Sequence, residues 1–177
     1  MAERTRLRKL RSLGAVDAFI ALRAYPIEEQ VATWLELFHR TLDPQRLGTA
    51  NGRAMRAVEA LAGVPPEKWL ETRGFTVVES RAPSTFGTAT VRAWCDEARA
   101  EVVLFQAPMA SLCRILAPCG LLPPVIRSCI VAHEAFHVAD PRCPTPIAEL
   151  AAHLFAGTVS SLGCFGGALD VLSALGS

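Results

Sequence analysis

The stretch H-E-A-F-H brings His133, Glu134 and His137 together. On an α-helix, residues i and i+4 project from one face a turn apart, so two imidazole nitrogens can reach a single tetrahedral ion. Glu134, next to the first histidine, then sits where it can take a proton from the water that such an ion activates. Three of the four histidines, His133, His137 and His153, fall within 21 residues, while His39 lies far upstream on a separate amphipathic segment. The residues leading into the motif, Ile126 and Ile130 to Ala132, make this helix apolar. Two histidines and a glutamate buried there without a partner would carry an unrewarded desolvation cost.

A catalytic metal site needs a third protein ligand and an open position. Glu149, twelve residues after His137, is the leading candidate, because a proline-containing loop can fold its helix back beside the first. His153, one turn beyond, is either a hydrogen-bond partner that orients a ligand or itself the third ligand. Imidazole and carboxylate donors favour Zn2+. The chemistry expected of this set is hydrolysis of a peptide bond with Glu134 as general base, on a peptide or protein substrate. Stabilising the oxyanion asks for another donor, for which Tyr25, the only tyrosine, and Arg142 are the candidates. Cys143, soon after the motif, reads as a buried loop cysteine or as an inhibitory thiolate at the open position.

These residues must be held by elements. Proline pair 123–124 suits the start of a helix over 124–138, since proline lacks only a donor the first turn leaves unpaired, and Asp140-Pro141 ends it. Further helices are expected over 109–116, 146–161 and 167–175. Upstream, 27–41 carries Val31, Trp34, Leu35 and Phe38 at helical spacing, with Glu28 and Glu29 in its first turn, and a second helix covers 51–62. A short turn passes through Trp69. Strands are expected over 75–79, 89–95 and 101–106, the last two joined by a turn at 96–99, giving a small, mainly antiparallel sheet ahead of the metal helix. The fold class is α+β and helix-dominated, one unit over 1–177 with a helical N-terminal part (1–73) and a metal-binding core (74–177).

The segment V-A-H-E-A-F-H followed by E-L-A-A-H-L-F-A-G-T-V-S-S-L resembles the ImmA/IrrE group of zincin-like metallopeptidases. In that group H-E-x-x-H is followed by a helix carrying a glutamate ligand and a pattern like E-x-x-A-x-x-F-A, which here falls on Glu149, Ala152, Phe155 and Ala156. The resemblance implies a gluzincin-like zinc geometry in a zincin-like domain. It also implies an edge strand ahead of the metal helix that holds an extended peptide, a role that would fall to 102–106. Its specific part runs from His133 to Ala156.

Composition narrows the remaining classes. A formal net charge of +1 and dispersed basic residues give no general attraction to nucleic acid. The basic start, Arg4 to Arg11, precedes an apolar stretch interrupted by Asp17 and Arg23 without a small-residue cleavage pattern, so it reads as a solvated, partly disordered arm and not as a secretory signal. A cytoplasmic location and six reduced cysteines are expected; no C-x-x-C pair is present. The apolar tract 102–132 is cut by Pro108, Arg114, Pro118, Pro123, Pro124 and Arg127 into pieces too short to span a bilayer. From 147 to 175 only Glu149 and Asp170 carry charge, which leaves room for a homodimer through the apolar C-terminal helices. Two rivals to an enzyme stand beside it. One is a non-proteolytic protein in which zinc is structural or regulatory and the N-terminal helices bind a protein partner; the other is a metal-free interaction protein.

Overall fold

The computed structural model describes residues 4–82, 85–86 and 89–175. In chain order, helices α1 (Arg4–Arg11), α2 (Ala15–Ala24), α3 (Ile27–Glu36), α4 (Pro44–Leu61) and α5 (Pro66–Thr72) lead into strands β1 (Thr76–Ser80), β2 (Thr85–Phe86), β3 (Ala89–Thr90), β4 (Ala93–Asp96) and β5 (Glu101–Phe105). Helices α6 (Gln106–Leu116), α7 (Pro123–Ala139), α8 (Thr145–Val159) and α9 (Ala168–Leu175) follow, with one 3-10 turn at Ala117–Cys119. The chain is α+β and helix-dominated. No helix among the described residues is long and apolar enough to cross a membrane.

Helix boundaries follow local chemistry. The α3 helix stops at Glu36, short of the expected 41, because Arg40 N–H reaches back to the Leu35 carbonyl and His39 N–H to that of Glu36, at 3.0 and 3.2 Å. These reach-back bonds close the C-terminus with His39 in the left-handed region, φ 54°. Asp43-Pro44 does not end α3, which has already stopped at Glu36; it starts the next helix. Asp43 accepts the Gln45 and Arg46 N–H groups and Pro44 occupies the first turn, so α4 begins seven residues before the expected 51. The turn expected at Trp69 is the helix α5, and the arm expected to be partly disordered is helical from Arg4 onward.

The sheet corrects two expectations. It is mixed, in the order β1-β5-β4, with β1 and β5 parallel and β4 and β5 antiparallel. Only the tight turn after Asp96 makes an antiparallel neighbour; β1 is separated from β5 by three intervening strands and returns in the same direction. Consequently β5 is the central strand. The segment 102–106 is therefore no edge, and the edge on the side of the metal helix is β4.

Apolar spacing then assembles the layers. On α7, Ile126, Cys129, Ile130, Val131, Ala132, Ala135 and Phe136 are buried; on α8, Leu150, Ala151, Ala152, Leu154, Phe155 and Ala156. The helix α4 turns Ala50, Ala54, Ala57 and Leu61, an i, i+4, i+7, i+11 stripe, toward the core and packs on α8. Buried residues from Leu7 to Leu172 join in one cluster, so the N-terminal helices share a core with the helices that carry the motif. Two glycines let backbone approach backbone closely. A Cβ on Gly157 would lie 2.5 Å from the Cys164 carbonyl oxygen and one on Gly166 would lie 2.7 Å from that of His153, so the 160–167 loop lies directly on α8.

Candidate metal centre

The i, i+4 spacing on α7 does what the sequence leads one to expect. His133 and His137 stand a turn apart with their Nε2 atoms 3.3 Å from each other. From α8, Glu149 brings Oε2 to 3.2 Å from His133 Nε2 and Oε1 to 3.5 Å from His137 Nε2. Ligand atoms about 2.0–2.1 Å from a tetrahedral ion stand about 3.3–3.4 Å apart. The two imidazole nitrogens have that spacing, both Glu149 oxygens come close to it, and the three residues could hold one such ion, with one ligand atom from each lying within 4.8 Å of the others.

His153 is placed differently. Its Nε2 faces Asp170 Oδ2 at 3.4 Å, while its ring lies edge-on to His133, Trp34 and Phe165, with centroids 4.5, 4.9 and 5.6 Å away. Of the two candidates for a third ligand, Glu149 meets both imidazole nitrogens, and His153 packs behind His133. Asp170, on α9, is the hub of this layer. It accepts from Trp34 Nε1 at 3.0 Å and pairs with the Arg92 guanidinium.

Burial sets the electrostatics of the cluster. Desolvation acts first on His133, yet Glu149, Glu134 and Asp170 outweigh it and raise its affinity for a proton. For His137 desolvation prevails, reinforced by the charge of His133, and its pKa falls. Hydrogen bonding to His133 holds Glu149 down to about 2, so this carboxylate stays ionised at the cavity mouth. Glu134 moves the other way, raised mainly by desolvation and eased by His133 and by the Cys95 backbone N–H that donates to its carboxylate. Desolvation takes His153 to about 3, which keeps it neutral beside Asp170.

All of these groups line one cavity of about 650 Å3. Its helical wall is α7 and α8; its other wall is Arg92 and β4. Phe105 N–H donates to the Arg92 carbonyl at 2.9 Å, so Arg92 points that group at β5, and Ala93 and Cys95 turn their backbone groups to the opposite side. Cys95 uses its N–H there on Glu134. Trp94, 47% exposed, stands on the same wall.

Other sequence candidates fall elsewhere. Tyr25 and Arg142 are not on the cavity wall. Tyr25 gives its carbonyl to Gln30 Nε2 at 2.8 Å, and Arg142 is exposed. Cys143 also lies off the cavity, beside Arg53 and Asp140, with its thiol raised mainly by burial. An inhibitory thiolate is not available from it. The cysteines on the wall are Cys95 and Cys129, pushed up by burial to about 11 and about 12, and both stay protonated. The residues that sequence reading missed are Arg92, Cys95, Trp34 and Asp170. Asp170 alone gave a signal, as one of two acids in a long apolar tract; such an acid calls for a buried partner.

No family model, no curated protein and no solved structure matches this chain.

Proposed function

We propose that this protein is a zinc-dependent peptidase of zincin-like design, with His133, His137 and Glu149 as metal ligands and Glu134 as general base. The observation that carries the reading is the cluster of two imidazole nitrogens 3.3 Å apart with the two oxygens of one carboxylate at 3.2 and 3.5 Å from them, and a second, largely desolvated carboxylate, Glu134, next in sequence to His133. An ion held there supplies Lewis acidity, lowering the pKa of water and polarising a carbonyl. Glu134, whose proton affinity is raised by burial, takes the proton from water and hands it to the leaving amine. His153 and Asp170 keep the His133 ring from turning, through the edge contact and the polar contact of neutral His153 with Asp170 behind it.

The substrate reading follows from β4. An extended peptide laid along this edge would pair with the outward backbone groups of Ala93, and Trp94 would flank it. Arg92 already pairs with Asp170, so it fixes the start of the strand and does not act as a free cation for the substrate.

The deciding experiment is metal content by plasma mass spectrometry on untagged protein, for the wild type, His137→Ala and Glu149→Ala. About one zinc per chain, lost in both variants, is the expected result. Wild-type protein that takes up no metal after zinc is added back would overturn the proposal.

A further inference from the structure

A second cavity, of about 710 Å3, lies between α1 and the end of α3, lined by residues separate from those of the metal centre. Its floor is apolar, from Leu7 and Leu37. Its rim is basic: Arg8 and Arg11 from one side, His39 and Arg40 from the other, with the Thr41 hydroxyl beside them. Glu36 is the one acid in the lining, and its Oε2 accepts the Leu7 backbone N–H at 3.1 Å. Neighbouring Arg6 is tied to Glu29 at 3.2 Å. Arg8, Arg11 and Arg40, by contrast, form no ion pair with any described residue.

The bland account of such arginines is complementation of a helix end. It covers Arg8 and Arg11, which sit in the last turn of α1. It does not cover Arg40, which lines the same cavity from the segment beyond α3. Three exposed guanidiniums from two separate segments line this one concavity, where an anion would meet positive charge from both sides. The volume is within the range of small-molecule sites, about 300–1,000 Å3.

We propose that this cavity binds a small phosphate ester, with its phosphoryl group on Arg8, Arg11 and Arg40 and its apolar portion on Leu7 and Leu37. Guanidiniums offer paired donors that match phosphoryl oxygens, and three of them from two elements suit a dianion better than a single carboxylate. The inference is independent of the metal centre.

Isothermal titration of the full chain with phenyl phosphate, inorganic phosphate and a phosphoserine peptide tests it. Phenyl phosphate is expected to bind about tenfold more tightly than inorganic phosphate, through the apolar floor. Its affinity should fall by about tenfold or more in Arg11→Gln/Arg40→Gln, and similarly in Arg8→Gln/Arg40→Gln, with circular dichroism and melting temperature unchanged. Affinity should be kept in Glu149→Ala, where the metal ligand set is broken. Four results would overturn the proposal: no binding of phenyl phosphate at millimolar concentration, equal binding by the arginine variants, loss of binding in Glu149→Ala, or preference for the phosphopeptide over phenyl phosphate. Tight binding of a DNA duplex in place of phenyl phosphate would mark the arginines as a nucleic-acid patch and sink it as well.

Discussion

The helical wall of the cavity takes all its chemistry from 21 consecutive residues, His133 to His153, on two helices that pack directly on each other. The opposite wall is a four-residue strand preceded by Arg92, whose anchoring carboxylate, Asp170, comes 78 residues later. The first wall is made by helical periodicity and local packing, and its geometry follows once α7 and α8 exist. The second exists only when distant segments have met. Function on this reading needs both: donors from one, and from the other the hydrogen bond to Glu134 and an open edge.

The largest expected effect touches the helical wall alone. On the proposed peptidase reading, Glu134→Gln keeps the shape and the three proposed ligands but removes the proposed base, so hydrolysis should fall by about 10²- to 10⁴-fold at unchanged metal content. Paired measurement of turnover and bound metal separates this from a damaged centre; equal loss of both would mean that Glu134 holds the site together.

Cutting the link between the walls comes next. Asp170→Ala strips Arg92, Trp34 Nε1 and His153 of their shared acceptor, and a broken, largely buried ion pair costs about 3 kcal/mol. Urea unfolding should show that loss. A change within error would mean that the strand wall is held by β5 alone.

Packing behind the helical wall gives a smaller effect. Gly157→Ala would drive a Cβ into the Cys164 carbonyl oxygen, and overpacking of this kind costs about 1–3 kcal/mol. Thermal unfolding of that variant beside Gly48→Ala, where a Cβ meets nothing within 4 Å, isolates the clash from the helix propensity gained.

The smallest effect concerns how α7 is braced from outside. Arg127 Nη2 donates to Glu67 Oε1 at 2.8 Å, joining α7 to α5, and that bond lowers the Glu67 pKa from 4.5. A depressed carboxylate contributes stability above its unfolded value and loses it as the pH falls through the folded one. With the pair partly exposed, the contribution is no more than about 1 kcal/mol. Glu67→Gln should therefore lower stability at neutral pH and flatten its decline below pH 4.5; curves of the same slope would remove the pair from the account.

The two walls also differ in how far the sequence discloses them. His133, Glu134, His137 and Glu149 were readable because helical spacing converts directly into direction, and the proline pair at 123–124 marked where α7 begins. The start of α4 was missed because an Asp-Pro pair serves equally as the end of one helix and the cap of another. The parallel pairing of β1 with β5 has no local signature, since it depends on where the chain returns after three further strands. Exchanging the edge from 102–106 to β4 followed from that one unknown. Asp170 could be singled out as an acid in apolar surroundings, but its partners, Trp34, Arg92 and His153, are scattered, the farthest 136 positions away.

That scatter bears on the order in which the molecule is made. A chain emerging from the ribosome presents His133, His137 and Glu149 well before residue 170 is synthesised, so the metal donors can gather on the first two of the last three helices. Trp34, made early, must wait for α9 before its indole has an acceptor, and Arg92 waits with it. Long-range closure is the slow part of folding. The cluster would thus pass through a stage in which its three donors are already together while the strand wall is still loose, and that wall is fixed only once α9 has been made.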